Sequence, residues 1–230
     1  MPTLNVSTTA YITGVSNGTF STARTSNGSI VINGGSGTQT PVEYRYTSGR
    51  GGGGHRMIRT YLDFDTSGIS GTVSAATLNI ASLGANTGDI IGLKTDAFGA
   101  SGGGTVLAAS FYLGIDYTTP YTAEISTWAA GAGKSAANNA ITLNTAARLD
   151  MKANNRFQIA LVNHTYDYAN SGASSTVEEG NAIAFGTTIN IDYTISAASG
   201  YANDVIGVAT ANIGEVLGVA TANIEKVIGV

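Results

Sequence analysis

The sequence predicts an all-β, antiparallel domain over residues 1–196 followed by a short repeat tail, and three observations carry that expectation. Apolar and polar residues alternate in short runs, clusters of Gly, Ser and Asn separate the runs, and the last thirty residues repeat with an eleven-residue period. Alternation with period two lines one face of a strand, and many such runs between turn signals describe a sandwich or barrel.

Thr188–Ile195 is the clearest run: Ile189, Ile191, Tyr193 and Ile195 share one face, with Asn190, Asp192 and Thr194 on the other. The same rule turns Ile58, Leu62 and Phe64 inward around Thr60, leaves Arg59, Tyr61 and Asp63 outward, and alternates Leu78 and Ile80 with Thr77 and Asn79. Further strands are expected at 4–12, 29–33, 42–46, 89–96, 105–110 and 157–163, with Phe157, Ile159 and Leu161 in the core. Two stretches read as helical turns, Ser126 to Gly131 and Thr145 to Lys152, the second started by a Thr145 cap. Ser196 to Gly200 is small and flexible in composition, which marks 197–204 as a linker.

The run Arg59 to Ile80, in which a strand ending Phe64-Asp65 leads through Gly71-Thr-Val73 to Ala76-Thr-Leu78, resembles the hallmark of DNRLRE-type, carbohydrate-binding-module-like domains. Ile125 to Gly131 with Trp128, then Asn138 to Leu143, and the closing strand 188–195 are similar to that family in the same order. The resemblance covers about residues 1–196 and implies a jelly-roll β-sandwich, a fold that hosts glycan binders, surface modules and virion components alike. It also implies that Trp128 packs as core beneath a turn.

The tail, residues 205–230, reads Val-Ile-Gly-Val-Ala-Thr-Ala-Asn-Ile from Val205, repeats from Val216 with Leu217 in place of Ile, and stops in phase at Val227-Ile-Gly-Val. Repeats this short bury an apolar face only against neighbours or another surface. Docking or oligomerisation is therefore expected through Val205, Ile206, Val208, Ile213, Val216, Leu217, Val219, Ile224, Val227 and Ile228. Short capped turns joined by extended Gly-Val-Ala steps suit the pattern, with Thr210 and Thr221 as N-caps and Gly218 and Gly229 just past the helix ends; a fully extended tail suits its β-branched residues. Tails with Asn-Ile-x-Lys-Val-x-Gly-Val units resemble those on structural proteins of tailed bacteriophages.

Composition narrows the function classes. Charged residues make up 11% of the chain, against about 25% in an average soluble domain. A net charge of −4 supplies no field for nucleic acid or anionic membrane. With no cysteine, disulfides and thiolate zinc sites are excluded. Met1 to Thr9 lacks the basic and apolar regions of a secretory leader, and no run approaches the ~18 apolar residues of a membrane span. Assembly in a cytoplasm is the expectation.

Candidate chemistry is sparse. Gly131-Ala-Gly-Lys-Ser135 lacks the upstream glycine of a phosphate loop, because Trp128 stands there. The glycine-rich Ser48–Arg56 segment, with Arg50, His55 and Arg56 near Arg45 and Arg59, reads as a strand connector whose arginines are solvated or paired to an acidic neighbouring subunit. His55 and His164 are expected to be surface or satisfied histidines. Asp63 and Asp65 share a side of one strand, where Asp65 is expected to cap the following turn rather than ligate a cation, and Glu178-Glu179 falls in a polar stretch read as loop. Tyr112, Tyr117, Tyr121, Tyr166 and Tyr168 fall on or near loops, where rings stack on sugars or form a protein interface. No catalytic or cofactor set emerges. The functional expectation is a non-catalytic virion component, partnered by other virion proteins and by itself; the alternative is a module or adhesin that binds host-surface glycan.

Overall fold

The computed structural model describes residues 1–16, 18–25, 29–32, 39–49, 53–82, 88–99, 114–127, 137–184, 189–196, 215–216 and 219–220. The expected strand 105–110, the Trp128 turn, the Gly131–Ser135 motif, Arg50, Tyr112 and the linker 197–204 lie outside the described residues, as do Val205, Ile206, Val208, Ile213, Leu217, Ile224, Val227 and Ile228.

The described chain is all-β in character, with antiparallel strands throughout. In order they are β1 (Thr3–Ser16), β2 (Ser29–Ile32), β3 (Gln39–Thr47), β4 (Gly54–Asp65), β5 (Val73–Ser82), β6 (Ile90–Thr95), β7 (Ile115–Pro120), β8 (Ala137–Thr142), β9 (Arg156–Asn163), β10 (Val177–Ala184) and β11 (Asn190–Ile195). Helix α1 (Phe20–Thr25) precedes β2, α2 (Thr145–Ala153) precedes β9, and a π-turn (His164–Tyr168) follows β9. The main sheet runs β2-β1-β11-β5-β10-β3-β4-β9-β6-β7, with β8 beside β5. β1 closes it: Thr3–Asn5 pair with β11, whereas Val6 and Thr8–Ser16 pair with β4, with a register shift between Val6 and Thr8 just after the change of partner. A bulge of this kind bends a strand, which lets β1 pass from one partner to the other.

The larger core lies on the face of β4 and β9 carrying Leu62, Phe64, Phe157, Ile159 and Leu161, and it takes in Leu78, Ile80, Ile191 and Tyr193 from β5 and β11. These residues alternate as expected: Ile189 and Ile191 are buried, while Thr194 is exposed and Asn190 and Asp192 are half-covered. Met151 and Ala147 bring α2 onto the same core. The helix cap is Asn144, not Thr145; its side chain accepts from the Ala147 N–H at 3.1 Å. Asn fills that role as well as Thr does, and its position one residue earlier leaves Thr145 inside the first turn.

The outward assignment of Arg59, Tyr61 and Asp63 is overturned, since each is 0% exposed. β4 is buried on both faces. Behind it a second cluster joins Tyr61 to Ala10, Ile12, Ile91, Leu93, Phe98, Ile115, Ala160 and Val162, and a third packs Tyr44 and Met57 against Ala23 of α1. Period two tells which residues share a face, and it does not tell whether the second face is covered. Glu178 and Glu179 likewise belong to β10, where they pair with Arg45 and Tyr44 across from β3. Strand β7, helix α1 and the π-turn carry no signal that the sequence reading detected.

In the tail, Glu215–Val216 and Val219–Ala220 form two short antiparallel strands, β12 and β13, with Val216 opposite Val219. These four residues are extended, as the extended alternative has them; Thr210, Gly218, Thr221 and Gly229 lie outside the described residues. β-branched Val on either side favours the pleat over a helical turn.

Replacing Ile191 with Asp is expected to lower stability by several kcal/mol, because a fully buried carboxylate there has no partner. Asn190→Asp keeps the oxygen that accepts from Asn79 Nδ2 and is expected to cost about 1 kcal/mol or less. Urea unfolding of both variants checks the assignment of faces.

Candidate functional site

Two polar assemblies stand out among the described residues, one buried and one open. The buried one occupies the outer face of β4 between the two smaller apolar clusters. Arg59 on β4 makes a bidentate pair with Asp167 of the π-turn, Nε to Oδ2 at 2.5 Å and Nη2 to Oδ1 at 2.8 Å. Arg24 at the end of α1 donates from Nε to Asp167 Oδ1 at 3.2 Å, lies 4.2 Å above the Tyr117 ring, and has its carbonyl oxygen taken by Arg59 Nη2. The Tyr117 hydroxyl from β7 donates to Asp167 Oδ1 at 3.0 Å. Burial alone would lower the Arg59 pKa, but the adjoining Asp167 charge outweighs it and the guanidinium is held charged. Burial, with the Asp167 charge behind it, pushes the Tyr117 phenol well above its usual value. Asn163 sets this geometry, since its side-chain oxygen accepts from the Tyr166 N–H at 2.8 Å and caps the π-turn.

The aromatic set beside it is also closed. Tyr44 stacks on Tyr166 at 4.1 Å, its hydroxyl accepts from the Ala173 N–H at 2.9 Å and lies 3.0 Å from His55 Nδ1. A hydroxyl that accepts from an amide keeps its own proton to donate, which suits a neutral His55 with an unprotonated Nδ1. Burial lowers the His55 pKa below its ordinary value. His55 is thus a satisfied, largely buried histidine, and His164 is half-exposed, 3.3 Å from Glu124 and stacked on Tyr168.

The open assembly is a cleft of about 610 Å³ between β6, β9, α2 and the turn after β6. Lys94 Nζ donates to Asp150 Oδ2 at 2.7 Å, and the Tyr121 hydroxyl donates to the same oxygen. The Tyr121 ring is buried and stacks on Phe157 at 5.1 Å. Burial first, and the bond to Asp150 second, push its phenol well above the ordinary range. On the opposite wall Arg156 donates through Nε to Asp63 at 3.1 Å and through Nη2 to its other oxygen, with Asp65 3.8 Å away. Gln158 fixes the rim by donating to the Gly99 carbonyl and accepting from the Phe98 N–H. Gly99 adopts φ +67°, the left-handed conformation that the turn needs and Gly supplies without strain. Cations and carboxylates alternate along the walls, so the cleft offers many hydrogen bonds and little net field.

Asp65 accepts from Ser67 N at 3.0 Å and from the Ser67 hydroxyl, which holds its carboxyl below the usual value and makes it the expected turn cap. The loop arginines pair within the chain: Arg45 with Glu178 at 3.7 Å and Arg56 with Glu43 at 3.5 Å. Of the expected ring platform, Tyr121 is buried, Tyr117 and Tyr166 are packed in the clusters above, and Tyr168 is taken up by His164. The docking residues Val216 and Val219 come together as backbone partners in the β12–β13 pair. Asp167, Arg24, Asp150 and Lys94 escaped the sequence reading, and nothing in their neighbours marks them, because each finds its partner 50 residues or more away.

A folded-state pKa below the free value means that His55 contributes stability present above about pH 6.5 and lost as pH falls. Wild type is therefore expected to melt at lower temperature at about pH 5 than at pH 7, and His55→Gln, which keeps an acceptor for Tyr44, is expected to lose less over that interval. Calorimetric melts at both pH values check this.

Comparison of the chain with protein-family models and with curated proteins finds no match to either.

Proposed function

We propose that the chain is a non-catalytic structural component of a bacteriophage virion, a jelly-roll β-sandwich that joins a capsid or tail assembly, and oligomerises, through its C-terminal repeats. The observation that supports this reading is that β11, the last strand before the repeats, is paired along both of its edges. It pairs on one side with β1 and on the other with β5, and its Ile191 and Tyr193, with Ile189 just before it, fill the core. On this reading the repeats, too short to bury an apolar face alone, are left for other surfaces. The charged groups with the most perturbed environments also serve the architecture: Arg59 and Asp167 fasten α1, β4 and β7, and Tyr121 and Asp150 fasten α2. The assembly is proposed to form in the host cytoplasm with other virion proteins as partners.

A second reading, recognition of a host-surface glycan, draws its support from the 610 Å³ cleft. Interleaved Lys94, Asp150, Arg156 and Gln158 suit a neutral, polyhydroxylated ligand.

Truncation after Ser196 is expected to leave a soluble domain that melts cooperatively, and to abolish its retention on particles lacking this component. A truncated domain retained like the full chain places attachment in the sandwich and contradicts the first reading. Glycan-array binding that disappears with Asp150→Ala favours the second.

A further inference from the structure

The loop after the π-turn is held across the aromatic set by one hydroxyl. It is fastened at one end by the Ser171 N–H, which donates to the Tyr166 carbonyl at 3.0 Å. At the other end Thr176 Oγ1 accepts from the Ser48 N–H at 3.1 Å. Between these ends, among the described residues, the one hydrogen bond made by Gly172–Ser175 runs from the Ala173 N–H to the Tyr44 hydroxyl at 2.9 Å. Packing adds to it. A Cβ at Gly172 would come within 2.8 Å of Phe20 of α1, so the loop backbone lies against that side chain, and Ala173 packs on the cluster of Tyr44, Met57 and Ala23. Ser174 and Ser175 are exposed.

We propose that Gly172–Ser175 forms an acid-released strap, closed while the His55 ring is neutral and opened when the ring takes up a second proton. The place where that proton arrives decides the outcome. The Tyr44 hydroxyl accepts from Ala173 and faces His55 Nδ1 at 3.0 Å, so the neutral ring carries its hydrogen on Nε2 and the added proton goes to Nδ1. Two donors then meet across that distance. Tyr44 can serve both Nδ1 and the Ala173 N–H only by accepting from each, which turns its own hydrogen into a box of rings. Phe20 lies 5.8 Å and Tyr46 4.6 Å from the His55 ring, and Tyr166 stacks on Tyr44 at 4.1 Å. The groups that face this box are Tyr44 and Tyr46 of β3, Ser16 of β1, Tyr166 of the π-turn and Glu179 of β10, whose charge acts on Tyr44 and Tyr166. Arg56, next to His55 on β4, turns to Glu43, and Arg24 of α1 turns to Asp167. Burial lowers the His55 pKa and no carboxylate offsets it. With the folded value lowered, the closed strap has its full support above about pH 6.5 and loses it as pH falls through the folded value. The bonds at Ser171 and Thr176 involve no titratable side chain, so the release is confined to the residues between them. Opening uncovers Phe20 and Tyr44, an aromatic patch presented only in acid. The strap does not depend on which partners the chain assembles with.

Amide exchange of the full chain, taken as protection relative to the intrinsic rate at each pH, reads the strap directly. Ala173 is expected to lose at least about tenfold of its protection between about pH 7 and about pH 4.5, while Ile159 and Leu161 change by less than about twofold. In NMR spectra of the same protein the His55 ring protons are expected to titrate with the midpoint of the Ala173 step. His55→Gln keeps an acceptor for Tyr44 and is expected to abolish the step, whereas His164→Gln, which changes the chain's other histidine, is expected to leave it. If His55→Gln fails to fold, the shared midpoint in the wild-type chain decides. Ala173 protection that does not change with pH, a step whose midpoint differs from that of His55, or a step that survives His55→Gln overturns the proposal. The last result would assign the step to a carboxylate such as Glu179.

Discussion

A guanidinium and a carboxylate buried against each other hold the outer layer of this domain in place. Arg59 is 0% exposed, in the middle of a strand whose neighbours are apolar, and Asp167 reaches it from a turn more than a hundred residues later. A lone buried charge of either sign would be prohibitive, so each is tolerated only because the other is present with two parallel hydrogen bonds. Arg24 and Tyr117 complete the carboxylate's coordination, and through them α1 and β7 become tied to β4 and the π-turn. Without the pair, the outer face of β4 would retain only two small apolar clusters at its ends.

That arrangement explains which parts of the fold could be read in advance. Strand β11 alternates cleanly because one face meets the core and the other meets water, and Ile191 and Thr194 show it. β4 obeys the same period but has no wet face. Arg59, Tyr61 and Asp63 look like surface residues in the sequence, and only their distant partners Asp167, Ala160 and Arg156 reveal otherwise. The turn after β4 was legible for a local reason: Asp65 and Ser67 are two residues apart, so the cap is written within one short segment. The cleft was not legible, since Lys94, Asp150 and Arg156 come from three separate elements. Its tyrosine, expected as an exposed ring, proves to be a buried prop for α2.

β1 serves β11 at its start and β4 along the rest, which draws the sheet into a circuit. Among the described residues β2, β7 and β8 each pair with one strand, and single-sided strands are edges that proteins use for strand addition or must protect.

The central claim is that the buried ionic cluster carries the architecture. It is tested most directly by a double-mutant cycle on Arg59→Met and Asp167→Leu, read as unfolding free energy in urea. Each single variant leaves a charge without its main partner and is predicted to lose about 3–5 kcal/mol, whereas the double variant is predicted to recover about 2 kcal/mol or more relative to the sum. Single losses below about 1 kcal/mol that simply add would contradict the account, because they would show that the outer layer holds without the pair.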